Sequence, residues 1–310
     1  MELIETGYDE YNLIFNAPYH VFNTAGFNDL NKHKCDGVKY LLFKERKYRL
    51  GLIAGVKNNM LISPFSAPFG GFSFLKDSLQ ISHIEASISL LEEYVLQNNF
   101  VGIKLILPPL FYNETFLAKL MNVLYRKHFK TSNLDLDFYF DLDSGIAYNE
   151  QIWYNARKNL KMSMESVIGF NICENTEEIK EVYGVIEANR IAKGFPMTMK
   201  HEEIIATSKI IPADFFLCYK DGQSIAAAIV YHVNEHIVYV PYWGDRDGFS
   251  EMRPMNFLVY KIFGHYKSIG KRKVHIGIAT EDSVPNYGLC EFKESIGCKI
   301  SPKFTFTKMF

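Results

Sequence analysis

A chain of 310 residues with 34 basic and 35 acidic side chains has a formal net charge of −1. It therefore lacks the overall basic excess that a broad phosphate-binding surface needs, which speaks against a DNA-binding protein. Almost half of its residues are apolar, enough for one or two full cores, and the length fits one large domain or two ordinary ones.

The opening stretch, MELIETGYDEYNLIF, carries acids where a secretory signal needs a basic start. No segment approaches the ~18 consecutive apolar residues of a membrane span. The five cysteines, Cys35, Cys173, Cys218, Cys290 and Cys298, show neither CxxC nor Cys/His metal spacing. They fit reduced, mostly buried thiols, and the expectation is a soluble cytoplasmic protein without a metal. His232 and His236 lie four apart but straddle a turn, so they share no helix face.

VKYLLFKERKYRLGLIAGV (38–56) predicts strand, turn and strand, and NNMLISPFSAPFGG (58–71) a third strand running into a loop. A helix is expected over 81–99, a strand over 100–108, a helix over 113–129 and a strand over 132–142. NEQIWYNARKNLKMSMESVIGF (149–170) is basic and helical in period. Two helices are expected between 174 and 211.

The order then repeats. ADFFLCYK (213–220), SIAAAIVYHV (224–233) and HIVYVPYWGD (236–245) form a three-strand meander punctuated by DG and NE turns. A helix follows, with Pro254 in its first turn, apolar positions at Phe257, Leu258, Ile262 and Phe263, and Gly270 as its stop. KVHIGIAT (273–280) is a buried strand, SVPNYGLCEFKESIGC (283–298) contains a helix, and KISPKFTFTKMF (299–310) is a final strand. Tyr40 corresponds to Phe215 and Ile103 to Ile276, which supports an internal duplication. The fold class is α/β: two tandem units, each a mixed, mostly antiparallel sheet flanked by helices. The expected divisions are 1–145, a basic connecting helix over 146–170, and 171–310.

This order resembles the GNAT acyltransferase fold, and two copies in one chain resemble its Fem-type (FemABX-like) branch. NARKNLKMS (155–163) is similar to the basic helix between the two Fem units. NYGLCEFKESIGC (286–298) is similar to the ending motif of that branch at Gly288, Leu289, Phe292, Lys293 and Gly297. SPFSAPFGGF (63–72) is similar to the proline- and glycine-rich strand exit of the first unit. The resemblance spans nearly the whole chain.

It implies an N-acyltransferase moving an acyl group from a small-molecule donor such as acyl-CoA to an amine of a small molecule or an envelope precursor. One alternative is a transferase that takes an aminoacyl group from tRNA to a peptidoglycan precursor. Another is a non-catalytic binding protein that retains the fold. The sequence departs from the acyl-CoA pattern twice. GDRDGFSEMRPMN (244–256) lacks the paired glycines of a pyrophosphate loop, and Pro254 supplies no N–H. Phe292 stands where many GNAT enzymes carry an acidic tyrosine.

In such a fold the sheet splays between the strands 236–245 and 273–280, and substrates enter the slot. Asp245, at the exit of the first strand, is the candidate base, or simply a turn cap. Tyr287 is the nearest phenol able to replace the missing acid. Lys293 would steady an oxyanion or a carboxylate; on the helix it falls off the Leu289, Phe292 and Ile296 stripe, which also fits a solvated lysine. Tyr239, Tyr242 and Trp243 would line the slot or fill the core. Arg253 beside a helix start would make an anion site. Asn286 and Gly288 stand at the slot mouth, Asn286 equally as a helix cap. Arg157, Lys158 and Lys161 would meet a phosphorylated substrate or a tRNA acceptor stem, or form a solvated helix face.

Overall fold

The structure is a computed structural model that describes residues 1–75 and 79–310. In chain order the elements begin with β1 (Glu2–Thr6), α1 (Tyr8–Ile14), α2 (Ala25–Leu30), β2 (Gly37–Lys44), β3 (Tyr48–Lys57), β4 (Met60–Ser63) and β5 (Phe72–Phe74). They continue with α3 (Ile81–Gln97), β6 (Gly102–Ile106), α4 (Glu114–Arg126), β7 (Lys130–Asp141), α5 (Tyr148–Gln151), α6 (Tyr154–Glu165), β8 (Gly169–Cys173), α7 (Thr176–Ala192) and α8 (His201–Ser208). The remainder is β9 (Ala213–Lys220), β10 (Gln223–His232), β11 (Ile237–Asp245), α9 (Pro254–Ser268), β12 (Lys273–Ile278), the short hairpin of β13 (Thr280–Glu281) and β14 (Val284–Pro285), α10 (Tyr287–Ser295) and β15 (Lys299–Met309).

Two compact units emerge. Unit 1 comprises Met1–Leu136, Thr280–Val284 and Ser301–Phe310; unit 2 comprises Asp137–Ala279 and Pro285–Ile300. The sheet of unit 1 runs β1-β2-β3-β4-β6-β15, with β5 also on β3; that of unit 2 runs β8-β9-β10-β11-β12-β7. In both, every pairing is antiparallel except one: β4 with β6, and β11 with β12. The expected mixed, mostly antiparallel sheet is thus present in each unit.

The units interleave instead of following one another as 1–145, 146–170 and 171–310. The strand closing the first half, β7, pairs through Asp137–Asp141 with β12 of unit 2. The strand closing the second half, β15, pairs with β6 of unit 1 through Thr305↔Ile106 to Met309↔Gly102. The end of each half thus lies in the other unit: Asp137–Asp141 of β7 in unit 2, and Ser301–Met309 of β15 in unit 1.

Alternation explains the core of unit 1. Leu41 and Phe43 point to one face, where Ile84, Ile88, Leu91 and Val95 of α3 and Leu117, Leu120 and Leu124 of α4 cover them. Tyr40 and Leu42 point to the other, against Tyr11 of α1 and Phe15 just after it. Gly51 permits that layer: a β-carbon there would lie 2.6 Å from the Phe15 ring. In unit 2, Ser224–Tyr231 of β10 is buried throughout, because α7 covers one face and α9 the other.

The expected helices and meander strands are present. β1, α1, α2, β5 and β8 were not anticipated. The end of the basic segment turns from helix to strand because α6 stops at Glu165 and Val167 takes a left-handed φ of 51° before β8. No helix among the described residues is long and apolar enough to cross a membrane.

Candidate functional site

β11 and β12 pair over only three residues, Ile237↔Lys273 to Tyr239↔His275, and then diverge. Each strand carries a built-in cause. Between Ile229↔Tyr242 and Tyr231↔Tyr239, Val240 and Pro241 of β11 stand opposite Val230 alone, a bulge whose proline has no N–H for a ladder. The pairing of β12 with β7 shifts between His275 and Gly277, and Gly277 has a φ of 73°. That shift gathers three successive carbonyls, of Ile276, Gly277 and Ile278, around Lys293 Nζ at 2.9, 2.8 and 2.9 Å.

Beyond the divergence lies a cavity of about 550 Å³. Trp243, Gly244 and Asp245 of β11 form one wall, and Asn286 with Gly288, Leu289 and Phe292 of α10 another. Arg253 and Asn256 come from the start of α9, Asn189, Arg190 and Lys193 from the end of α7, and Asn159 from α6. All of these belong to unit 2.

Asp245 is held, not merely present. Asn189 Nδ2 donates to its backbone carbonyl at 2.6 Å and to its carboxylate Oδ1 at 3.1 Å. Gly244 makes room for that clamp: a β-carbon there would meet Asn189 Oδ1 at 2.7 Å. Burial pushes the Asp245 carboxyl pKa up, although Lys193, 4.0 Å away, pulls the other way. Arg190 lies with its guanidinium 5.7 Å from the centre of the Tyr242 ring, and its Nε is buried without a hydrogen-bond partner among the described residues. Trp243 and Phe292 meet edge to face at 6.1 Å. Asn286 caps α10 by accepting from the Leu289 N–H at 3.1 Å. Beside Gly288 a β-carbon would find only Asn286 Oδ1, at 3.8 Å, so the missing side chain borders open space.

The cavity thus brings together Asp245, Trp243, Arg253, Asn286 and Gly288. The other expected residues lie elsewhere. Tyr239 packs against His275 at 4.6 Å, and the His275 ring reaches Asp137 at 2.6 Å in a fully buried pair. The Tyr242 hydroxyl shares a hydrogen bond with Thr198. Neither tyrosine lines the cavity. Tyr287 is 80% exposed at the start of α10 and is not part of the lining, so it does not replace the missing acid there. Lys293 is 2% exposed, neither solvated nor free for an oxyanion: its three N–H donors all meet strand carbonyls. Arg157 Nη1 donates to the carbonyls of Asn149 and Ile152 at 3.0 and 3.1 Å, beside a different cavity. Lys158 and Lys161 are exposed, and α6 offers Asn159 to the slot instead.

Asn189, Arg190, Lys193, Asn256 and Asn159 were not anticipated. A signal existed for one of them. Val182, Val185, Ile186 and Asn189 form the buried stripe of α7, and a polar residue on such a stripe needs a partner.

The start of α9 does not fit the pyrophosphate of a CoA carrier. Pro254 has no N–H, and the N–H of Asn256 turns back to the Arg253 carbonyl at 3.1 Å. The backbone cradle of such a site is therefore not formed.

No protein-family model matches the chain. No curated protein matches it either. Solved structures do. FemX superposes with a TM-score of 0.73 at 12% identity, over 100% of this chain and 98% of that one. L-PGS from Bacillus licheniformis superposes at 0.62 and 12% identity, over 97% and 92%. A tandem GNAT protein from the clavulanic acid biosynthesis pathway superposes at 0.54 and 8% identity, over 99% and 98%. The chain has a GNAT-like fold of the kind seen in FemX.

Proposed function

We propose that the chain is an N-acyltransferase whose reaction takes place in the slot of unit 2, with Asp245 as the base. The observation that carries this reading is the Asn189-clamped Asp245 at the point where β11 leaves β12. Its raised pKa makes it a better proton acceptor than an ordinary aspartate. As an acceptor amine attacks the donor carbonyl, its proton passes to Asp245 and the new C–N bond forms. The bond to the carrier oxygen or sulfur then breaks, and the proton goes to that leaving atom from Asp245 or from water. The edge of β11 beyond Tyr239, released from β12, offers backbone N–H groups to the oxyanion.

Arg190, Lys193 and Arg253 line a cavity whose lining has one carboxylate, which suits a substrate bearing negative charge. The closed start of α9 favours a donor not gripped through a pyrophosphate. The same feature favours a second reading, in which an aminoacyl ester on tRNA is the donor and a peptidoglycan precursor the acceptor.

Two measurements test this. Product formation from acyl-CoA and aminoacyl-RNA donors against a panel of amines should fall ~10²–10⁴-fold in Asp245→Asn with the fold retained. Unchanged turnover would remove Asp245 from the chemistry. CoA and acetyl-CoA should leave the thermal midpoint unmoved, whereas a saturable rise would restore a CoA donor.

A further inference from the structure

The turn joining β2 to β3 reads KERKYR (44–49): four cations and one carboxylate in six residues. It borders a cavity of about 670 Å³ in unit 1, walled by Lys44, Arg46, Lys47, Arg49, Tyr48 and Leu79. The only neutralising contact described at the turn is Glu45, and it is shared. Arg49 Nη2 reaches its carboxylate at 2.9 Å and His83 Nε2, in the first turn of α3, at 3.6 Å. Lys44 lies 5.3 Å from the centre of the Tyr48 ring, a contact that leaves its charge in place. Arg46 and Lys47 are exposed and make no ion pair among the described residues.

One donor at this turn is desolvated without reward. Arg49 Nε is buried and has no hydrogen-bond partner among the described residues. Buried polar atoms are nearly always satisfied, so a guanidinium N–H left open on the wall of a cationic cavity points to an acceptor that arrives from outside. Charge-assisted bonds to a phosphate supply several acceptor oxygens at once, and arginine suits them best. Leu79, just before the start of α3, and Leu75 complete the described part of the cavity wall.

We propose that the β2–β3 turn and the start of α3 form a binding site for a phosphate-bearing anion, separate from the slot of unit 2. Its test is titration of the full chain with inorganic pyrophosphate, followed by calorimetry and thermal shift at low and high salt. Binding should be saturable and weaken with salt. The dissociation constant should rise roughly tenfold or more in Arg46→Gln/Lys47→Gln, which alters two exposed turn residues, and stay unchanged in Arg253→Gln at the slot. A parallel arm compares vesicles of phosphatidylglycerol with vesicles of phosphatidylcholine. Sedimentation with the anionic vesicles alone, lost in the same double variant, would identify a lipid phosphate as the source; pyrophosphate binding without sedimentation would identify a soluble one. No binding in either arm, or binding that survives in the turn variant, overturns the proposal.

Discussion

Burial moves two charged groups of unit 2 in opposite directions: the Asp245 carboxyl up, and the Lys293 ammonium down to about 8. For Lys293 the consequence is a pH-dependent stability. The folded state must bury a charged ammonium below pH 8. Between about 8 and the ordinary lysine range near 10.5 the unfolded chain keeps its proton while the folded one releases it. Stability contributed at this position therefore rises with pH through that window. Lys293→Met removes the titration and leaves three inward carbonyls without a donor, which should cost on the order of 3 kcal/mol at pH 7. Urea midpoints for both proteins at pH 7 and 9.5 check this: the gap should widen at the higher pH, and a constant gap would deny the shift. Gly244 and Gly288 make a second contrast at this scale. Gly244→Ala drives a β-carbon into Asn189, so it should loosen Asp245 and lower both stability and turnover. Gly288→Ala meets open space, so it should hold or raise stability, by up to about 1 kcal/mol, while its methyl group intrudes on substrate and raises KM. Equal effects of the two substitutions would contradict the assigned slot.

At the scale of elements, period and punctuation made the meander of β9, β10 and β11 legible, as they did α3, α4, α9 and α10. Each has either strict apolar spacing or a turn dipeptide at its end. β8 was hidden because it has only five residues, GFNIC, close behind the helix, and β5 because it has three. Asp245, Trp243, Arg253, Asn286 and Gly288 could be placed because a strand exit and a helix start are sequence-local features. Lys293 was misread for a complementary reason. Its helix face was counted correctly as off the Leu289 and Phe292 stripe, but that stripe lines the slot, and the neighbouring face is the one that packs on β12. Helical spacing separates two faces without saying which is covered. The clamp between Asn189 and Asp245 spans α7 and β11, and no spacing within either segment encodes it.

At the scale of the molecule, the mixed, mostly antiparallel sheet was legible and the exchange of closing strands was not, because a strand pattern names no partner. That exchange leads to a test. Sequence adjacency assigns Ser301–Phe310 to the segment that begins near residue 171, whereas pairing assigns it to unit 1. β15 completes the edge of β6, buries Phe306 among the residues of the unit 1 core, and sends Lys308 to Glu92 and to the Lys127 carbonyl. Ending the chain at Ile300 removes all of these while leaving the pairs of β8 through β12 and β7 intact. Losing one buried phenylalanine alone costs ~3–5 kcal/mol, and an uncovered strand edge adds to it. Hydrogen exchange on the shortened chain should therefore show Gly102–Ile106 and the helices α3 and α4 losing protection first, with β9, β10 and β11 keeping theirs. Early exchange in β9–β11 with a protected β6 would mean that the last strand serves the unit it follows in sequence.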